Sequence, residues 1–125
     1  AGDKVFWMGN MNGSGEVKIL DPGTGDNHLL FRFEGEAIRT ATLRDDDNLF
    51  VATPSGIFWL RPGQSSKVLF SAALRPEFMA FDRINDFVLG GDSSSLFVIT
   101  FPSAALVHTR AFDGRNLDFT PVYNY

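Results

Sequence analysis

Short apolar runs, each closed by turn residues, recur along this chain at a spacing in the mid-forties. That recurrence restricts the fold more than any other feature. "VFW" (5–7), "LFV" (49–51) and "LFV" (96–98) begin 44 and then 47 residues apart. Each bulky run is followed by a turn containing Gly or Ser. A second run then ends at a glycine turn: "ILDPGTG", "WLRPGQS" and "RAFDGRN". A last run closes the unit: "HLLFRF", "KVLFS" and "LDFTPV". In the second and third units another run, "AIRTATL" or "INDFVLG", precedes the bulky one. Runs of four to eight Val, Ile, Phe and Thr bounded by Gly, Pro, Asn, Asp and Ser are strands. The 13 phenylalanines suit strands too, because aromatic side chains fit half-buried pleated surfaces.

A four-stranded meander of 40–50 residues is the repeat of a β-propeller blade. The expected fold is therefore all-β: about three antiparallel blades over residues 1–36, 37–74 and 75–125, the first lacking its initial strand. Helical periodicity is nearly absent. The best exception, "SAALRPEFMAF" (71–81), is interrupted by Pro76. In "NLFVAT", Leu49 and Val51 alternate with Phe50 and Ala52, so the strand is apolar on both faces. A free-standing antiparallel sheet is polar on one face. Blades stacked face to face bury both. A closed ring needs about four blades or more. The expected partners are thus other blades, from the rest of a longer protein or from further copies; a dimer would give about six.

Composition narrows the function classes. Net charge is −4, from 11 basic and 15 acidic residues. That argues against a nucleic-acid duplex, whose binding needs a basic face, and against an anionic membrane surface. The absence of cysteine excludes disulfides and thiolate metal sites. The most apolar stretch, "LFVITFPSAALV" (96–107), is broken by Pro102 and falls short of the roughly 20 residues a spanning helix needs. No targeting segment is visible. The chain opens with Ala1, as expected of a processed chain or a piece of something longer.

"GEVKILDPGTGDNHLLFRF" (15–33) resembles a blade of the quinoprotein-like (PQQ-type) propellers, whose repeats run strand, D-x-x-T-G, strand ending in an aromatic. Asp21, Thr24, Gly25 and Phe31 or Phe33 match that pattern. "NLFVATPSGIFWLRPGQSSKVLF" (48–70) resembles both that group and the NHL, YWTD and gluconolactonase-type propellers. The resemblance implies a propeller architecture. It does not imply one activity, because propellers host many.

Candidate sites compete with plainer roles. "DPGTG" (21–25) suggests a phosphate loop, but no G-x-x-x-x-G-K-[ST] is present and no helix follows. Asp-Pro-Gly is an ordinary turn series. Asp45, Asp46 and Asp47 in "RDDDN" suggest a calcium loop, yet lack its alternating spacing. Asp82 and Asp86 lie in "DRIND" (82–86). The gluconolactonase-type resemblance implies Glu, Asn and Asp ligands around a central metal, but no set here matches residue by residue. The plainer role is a surface turn with a local ion pair. His28 and His108 form no zinc motif, and Ser14, Ser55, Ser71 and Ser94 form no G-x-S-x-G. Trp7 and Trp59 are core candidates that at a rim would stack on sugar or anchor a partner. No cofactor is expected. The function these residues point to is a non-catalytic interaction or scaffold module within a larger protein or assembly. The alternatives are part of a quinoprotein- or gluconolactonase-type enzyme or ligand binder, and a lectin-like oligomer.

Overall fold

The computed structural model describes residues 4–111, which form eleven strands and no helix. The strands fall into three antiparallel meanders. Blade 1 is β1 (Val5–Met11), β2 (Ser14–Leu20) and β3 (Asn27–Phe33), in that spatial order. Blade 2 is β4 (Thr40–Asp45), β5 (Asn48–Thr53), β6 (Gly56–Leu60) and β7 (Lys67–Ser71). Blade 3 is β8 (Phe78–Asp82), β9 (Phe87–Gly91), β10 (Ser95–Thr100) and β11 (Leu106–Ala111).

Local chemistry sets the turns. Met11 pairs with Ser14, so Asn12 and Gly13 alone make the first hairpin turn, with φ of 53° and 82°. Two positive φ values match the strand twist, which is why Asn-Gly is favoured there. β1 thus runs on to Met11, well past the "VFW" run. At "DPGTG" the Asp21 carboxylate accepts the Gly23 amide at 2.8 Å, and the Asp21 carbonyl accepts the Gly25 amide at 2.8 Å. Gly25 takes φ 79°. The loop is a turn held by its own aspartate.

The strand order expected for blade 3 needs correction. Within "SAALRPEFMAF", residues 78–81 belong to strand β8. Pro76 holds the preceding chain extended, and four apolar residues in succession suit burial on both faces. The sheet therefore begins one strand earlier than expected. "INDFVLG" holds its second strand, "SLFVIT" its third and "ALVHTR" its fourth. "LDFTPV", expected as the closing strand, lies outside the described residues, and blade 3 already has four strands without it. Leu49 is thus on a second strand and Leu96 on a third, so the spacing of 47 compares unlike positions, whereas the spacing of 44, from β1 to β5, compares like ones.

The true repeat is marked by bulges. In every blade the outermost strand carries one extra residue where it pairs with its neighbour: Leu30, Phe70 and Val107. The pairs just before the slip are Val17 with Phe31, Ile57 with Ser71, and Val98 with His108. A bulge increases the local right-handed twist of its strand. β1 is then the equivalent of β5 and β9, the second strands, and blade 1 lacks an innermost strand among the described residues, as expected.

The core lies between the blades. Leu49 and Val51 join Val17, Phe31 and Phe33 between blades 1 and 2. Phe50 and Ala52 join Phe81, Val88 and Phe97 between blades 2 and 3. All four β5 residues are 0% exposed, so the alternation read in "NLFVAT" does bury both faces.

Polar links pin the joints. Asn10 on β1 exchanges two hydrogen bonds with the Ile38 backbone, at 2.7 and 3.0 Å. The Glu36 carboxylate accepts the Ser55 hydroxyl at 2.6 Å, the Ser55 amide at 3.1 Å and the buried Thr53 hydroxyl at 3.0 Å. The Ser55 hydroxyl bond holds the Glu36 carboxyl below the usual glutamate range; partial burial opposes this, and Thr53, the Ser55 amide and Lys67 assist. A depressed folded value means that this contribution is present above the unfolded glutamate pKa, about 4.3, and is lost as pH falls through the lower folded value. Glu36→Gln is therefore expected to reduce the urea midpoint at pH 7, with the gap to the parent closing below about pH 4. A gap of constant size down to pH 2.5 would contradict this role.

Candidate functional site: turn carboxylates, tryptophans and the unpaired blade surfaces

The predicted acidic residues lie at the β4–β5 and β8–β9 turns. Asp45 accepts the Asp47 amide and the Asn48 side chain, each at 2.9 Å, and pairs with Arg44 at 2.6 Å. Partial burial pushes the Asp45 carboxyl up, but Asn48, the Asp47 amide and Arg44 together hold it below its ordinary value. Asp82, 5% exposed, accepts the amides of Ile84 and Asn85 at 2.9 and 3.1 Å and the Asn85 side chain at 2.9 Å. Asp46 is also buried, whereas Asp47 is exposed. Asp45 and Asp82 each close a turn on their own backbone. Among the described residues no group of three or more His, Asp or Glu is placed to hold a metal.

The structure does bring the two turns together. Arg44 is the bulged residue of β4, without a partner on β5. From there its guanidinium reaches Asp86 on blade 3 at 2.9 Å and lies over the Phe101 ring, 5.8 Å from its centre. Asp86 first, then Asp45, raises the Arg44 pKa. At the other end of the inner strands Arg39 pairs with Glu77 at 3.3 Å. The cluster therefore clamps blade 2 to blade 3. Sequence reasoning grouped the acids but missed Arg44, whose reach depends on the bulge.

The tryptophans have different fates. Trp59 donates to Asn48 at 2.9 Å, meets Phe101 edge-on at 4.9 Å and has Arg61 over its ring at 4.5 Å. It is a packing residue of the blade 2–3 joint. Trp7 is 37% exposed. Its ring lies against Gly9, where an added Cβ would sit 2.6 Å from it, and under Lys18 at 5.1 Å. His28 is on β3 beside Asp21 and Lys4, and His108 is on β11, two blades away. Ser14 accepts the Gly35 amide, and Ser94 donates to Asp92; both serve turns.

The remaining feature is a strand edge without a neighbour among the described residues. There β1 bonds to β2 on one side only, whereas β5 and β9 are flanked on both. A strand edge of this kind presents a row of N–H and C=O groups able to pair with another strand. Val5 and Met11 on β1 are 44% and 45% exposed. Strand alternation and register also place Ala80, Phe87, Leu89, Leu96 and Val98 together on the outward face of blade 3. All five are half-buried, and their alternating neighbours are packed against blade 2. The outward face of blade 1 differs: beside Trp7 it carries Glu16, 7% exposed, with Lys18 at 3.6 Å and Arg32 at 3.3 Å.

No family model matches the chain, and no curated protein matches it in sequence. A chain of the crystal structure of a nidogen/laminin complex is similar in fold, with TM-score 0.68 and 12% identity. The alignment covers 86% of this chain and 42% of that one, so this chain spans less than half of the neighbour's length. At that identity the likeness concerns the fold alone, and it agrees with blade-like sheets in a propeller-like arrangement.

Proposed function

We propose that this chain is a non-catalytic β-propeller interaction module that acts by joining other blades. The observation that carries the proposal is the outward face of blade 3 among the described residues, where the apolar side chains of Ala80, Phe87, Leu89, Leu96 and Val98 alternate with an already buried set. A face of that composition matches the inner faces of blades 1 and 2 rather than a solvated surface. The unpaired edge of β1 supports the same reading. So does the fold neighbour, which comes from a complex between two proteins. The enzyme alternative has no residue set behind it among the described residues. The sugar-binding alternative retains only Trp7, whose ring already packs on Gly9 and under Lys18.

Light scattering of the whole chain tests this. Association at micromolar concentration is expected. Val98→Asp, which puts a charge on the apolar face, is expected to weaken it at least about tenfold with an unchanged circular dichroism spectrum. A monodisperse monomer that binds no hydrophobic dye would overturn the proposal.

A further inference from the structure

We infer that the strand completing blade 1 is residues 117–122 of a second copy of this chain, exchanged reciprocally. The inference rests on the blade-joining function above and names the partner. It begins from three rows of paired residues. In blade 2 the row across the sheet is Thr40, Ala52, Ile57, Ser71. In blade 3 it is Ala80, Leu89, Val98, His108. In blade 1 it is Met8, Val17, Phe31, with nothing before Met8 among the described residues.

Each complete row starts a fixed distance after the previous row ends. Nine residues lead from Phe31 to Thr40, and nine from Ser71 to Ala80. Counted from His108, nine residues lead to Leu117. The stretch starting there, "LDFTPV", has the alternation that the open row requires. Opposite Met8, Leu117 would face the blade 1–2 core, and Phe119 would do the same opposite Phe6; Phe6 and Met8 already pack against that core. Pro121 takes the position of Arg44, the bulged residue of β4 that has no partner on β5. Proline, which has no N–H to give a ladder, is confined in sheets to such places and to edges.

Direction selects a second copy. In both observed connections the chain leaves an outermost strand and enters the innermost position of the next blade along the sequence. The same step from β11 leads onward from blade 3, whereas blade 1 lies two blades behind. In a reciprocal pair each copy gives residues 117–122 to the other, and blade 1 of one copy covers the apolar outward face of blade 3 of the other. The result is about six complete blades, within the range of closed propellers.

The chain has no cysteine, so a pair can be introduced cleanly. Met8→Cys with Leu117→Cys in the whole chain is expected to give a disulfide-linked dimer on oxidation. Each single variant, and Met8→Cys with Val122→Cys, is expected to give at least about tenfold less. Phe119→Asp is expected to shift the light-scattering mass from dimer to monomer with an unchanged circular dichroism spectrum. An associating chain that fails to cross-link at this pair, or associates as well with Phe119→Asp, would overturn the strand exchange and leave the interaction function standing. A disulfide formed within a monomer would overturn the second copy as donor. A monomer without cross-link would remove both.

Discussion

Phe50→Ala is expected to cost about 3–5 kcal/mol of unfolding free energy, as large-to-small changes at buried aromatics do. Phe50 is 0% exposed at the centre of blade 2. Its ring is stacked on Phe81 of blade 3 at 5.5 Å and meets Phe70 and Phe101 edge-on, each at 5.3 Å. Truncation would remove the transfer free energy of the ring. It would also open a cavity lined by other rings that cannot collapse without moving two sheets. Small domains have about 5–15 kcal/mol in total, so the loss is a large fraction of the stability. Urea unfolding followed by circular dichroism measures it. Leu69→Ala, on β7 at 50% exposure, is the contrast and is expected to cost under about 1 kcal/mol. Equal effects at the two positions would mean that the blades do not share the core seen here.

Phe50 also explains why so much of the architecture was legible in the sequence. A strand apolar at both alternations can be accommodated only between two other layers, and "NLFVAT" states that outright. The hairpins were legible for a similar reason, since Asn12-Gly13 and Asp21-Pro22-Gly23 have few other backbone solutions. Blade 3 was misaligned because "LFV" at 49 and at 96 looks alike while serving different strands. The outer-strand bulges, which mark equivalence, have no residue signature: the extra residues are Leu30, Phe70 and Val107. The site was less legible than the fold. Asp45 and Asp86 are 41 positions apart, and only the packing of β4 beside β8 sets Arg44 between them. The unpaired edge of β1 was legible only as a strand missing from a count. Its length, its exposed Val5 and Met11, and its register came from the structure.

Gly56→Ala is expected to cost about 3 kcal/mol. Two separate penalties act there. Gly56 has φ 134°, a conformation that residues with a Cβ rarely adopt. An added Cβ would also collide with the carbonyl oxygen of Ser71 and lie 3.1 Å from the Ala72 Cα. Those atoms are backbone at the end of β7, so no rotamer change relieves the clash. Relief requires β6 and β7 to separate where Ile57 pairs with Ser71, next to the Phe70 bulge and the blade 2–3 core. Gly13 separates the two penalties. It too has a positive φ, 82°, but an added Cβ there meets nothing within 4 Å. Gly13→Ala is therefore expected to cost only the conformational share, about 1 kcal/mol. Urea unfolding of the two variants side by side measures the difference. Gly56→Ala falling within about 0.5 kcal/mol of Gly13→Ala would mean that β7 yields freely at Ser71. The bulged outer strand would then be a loose flap rather than a fixed part of the blade.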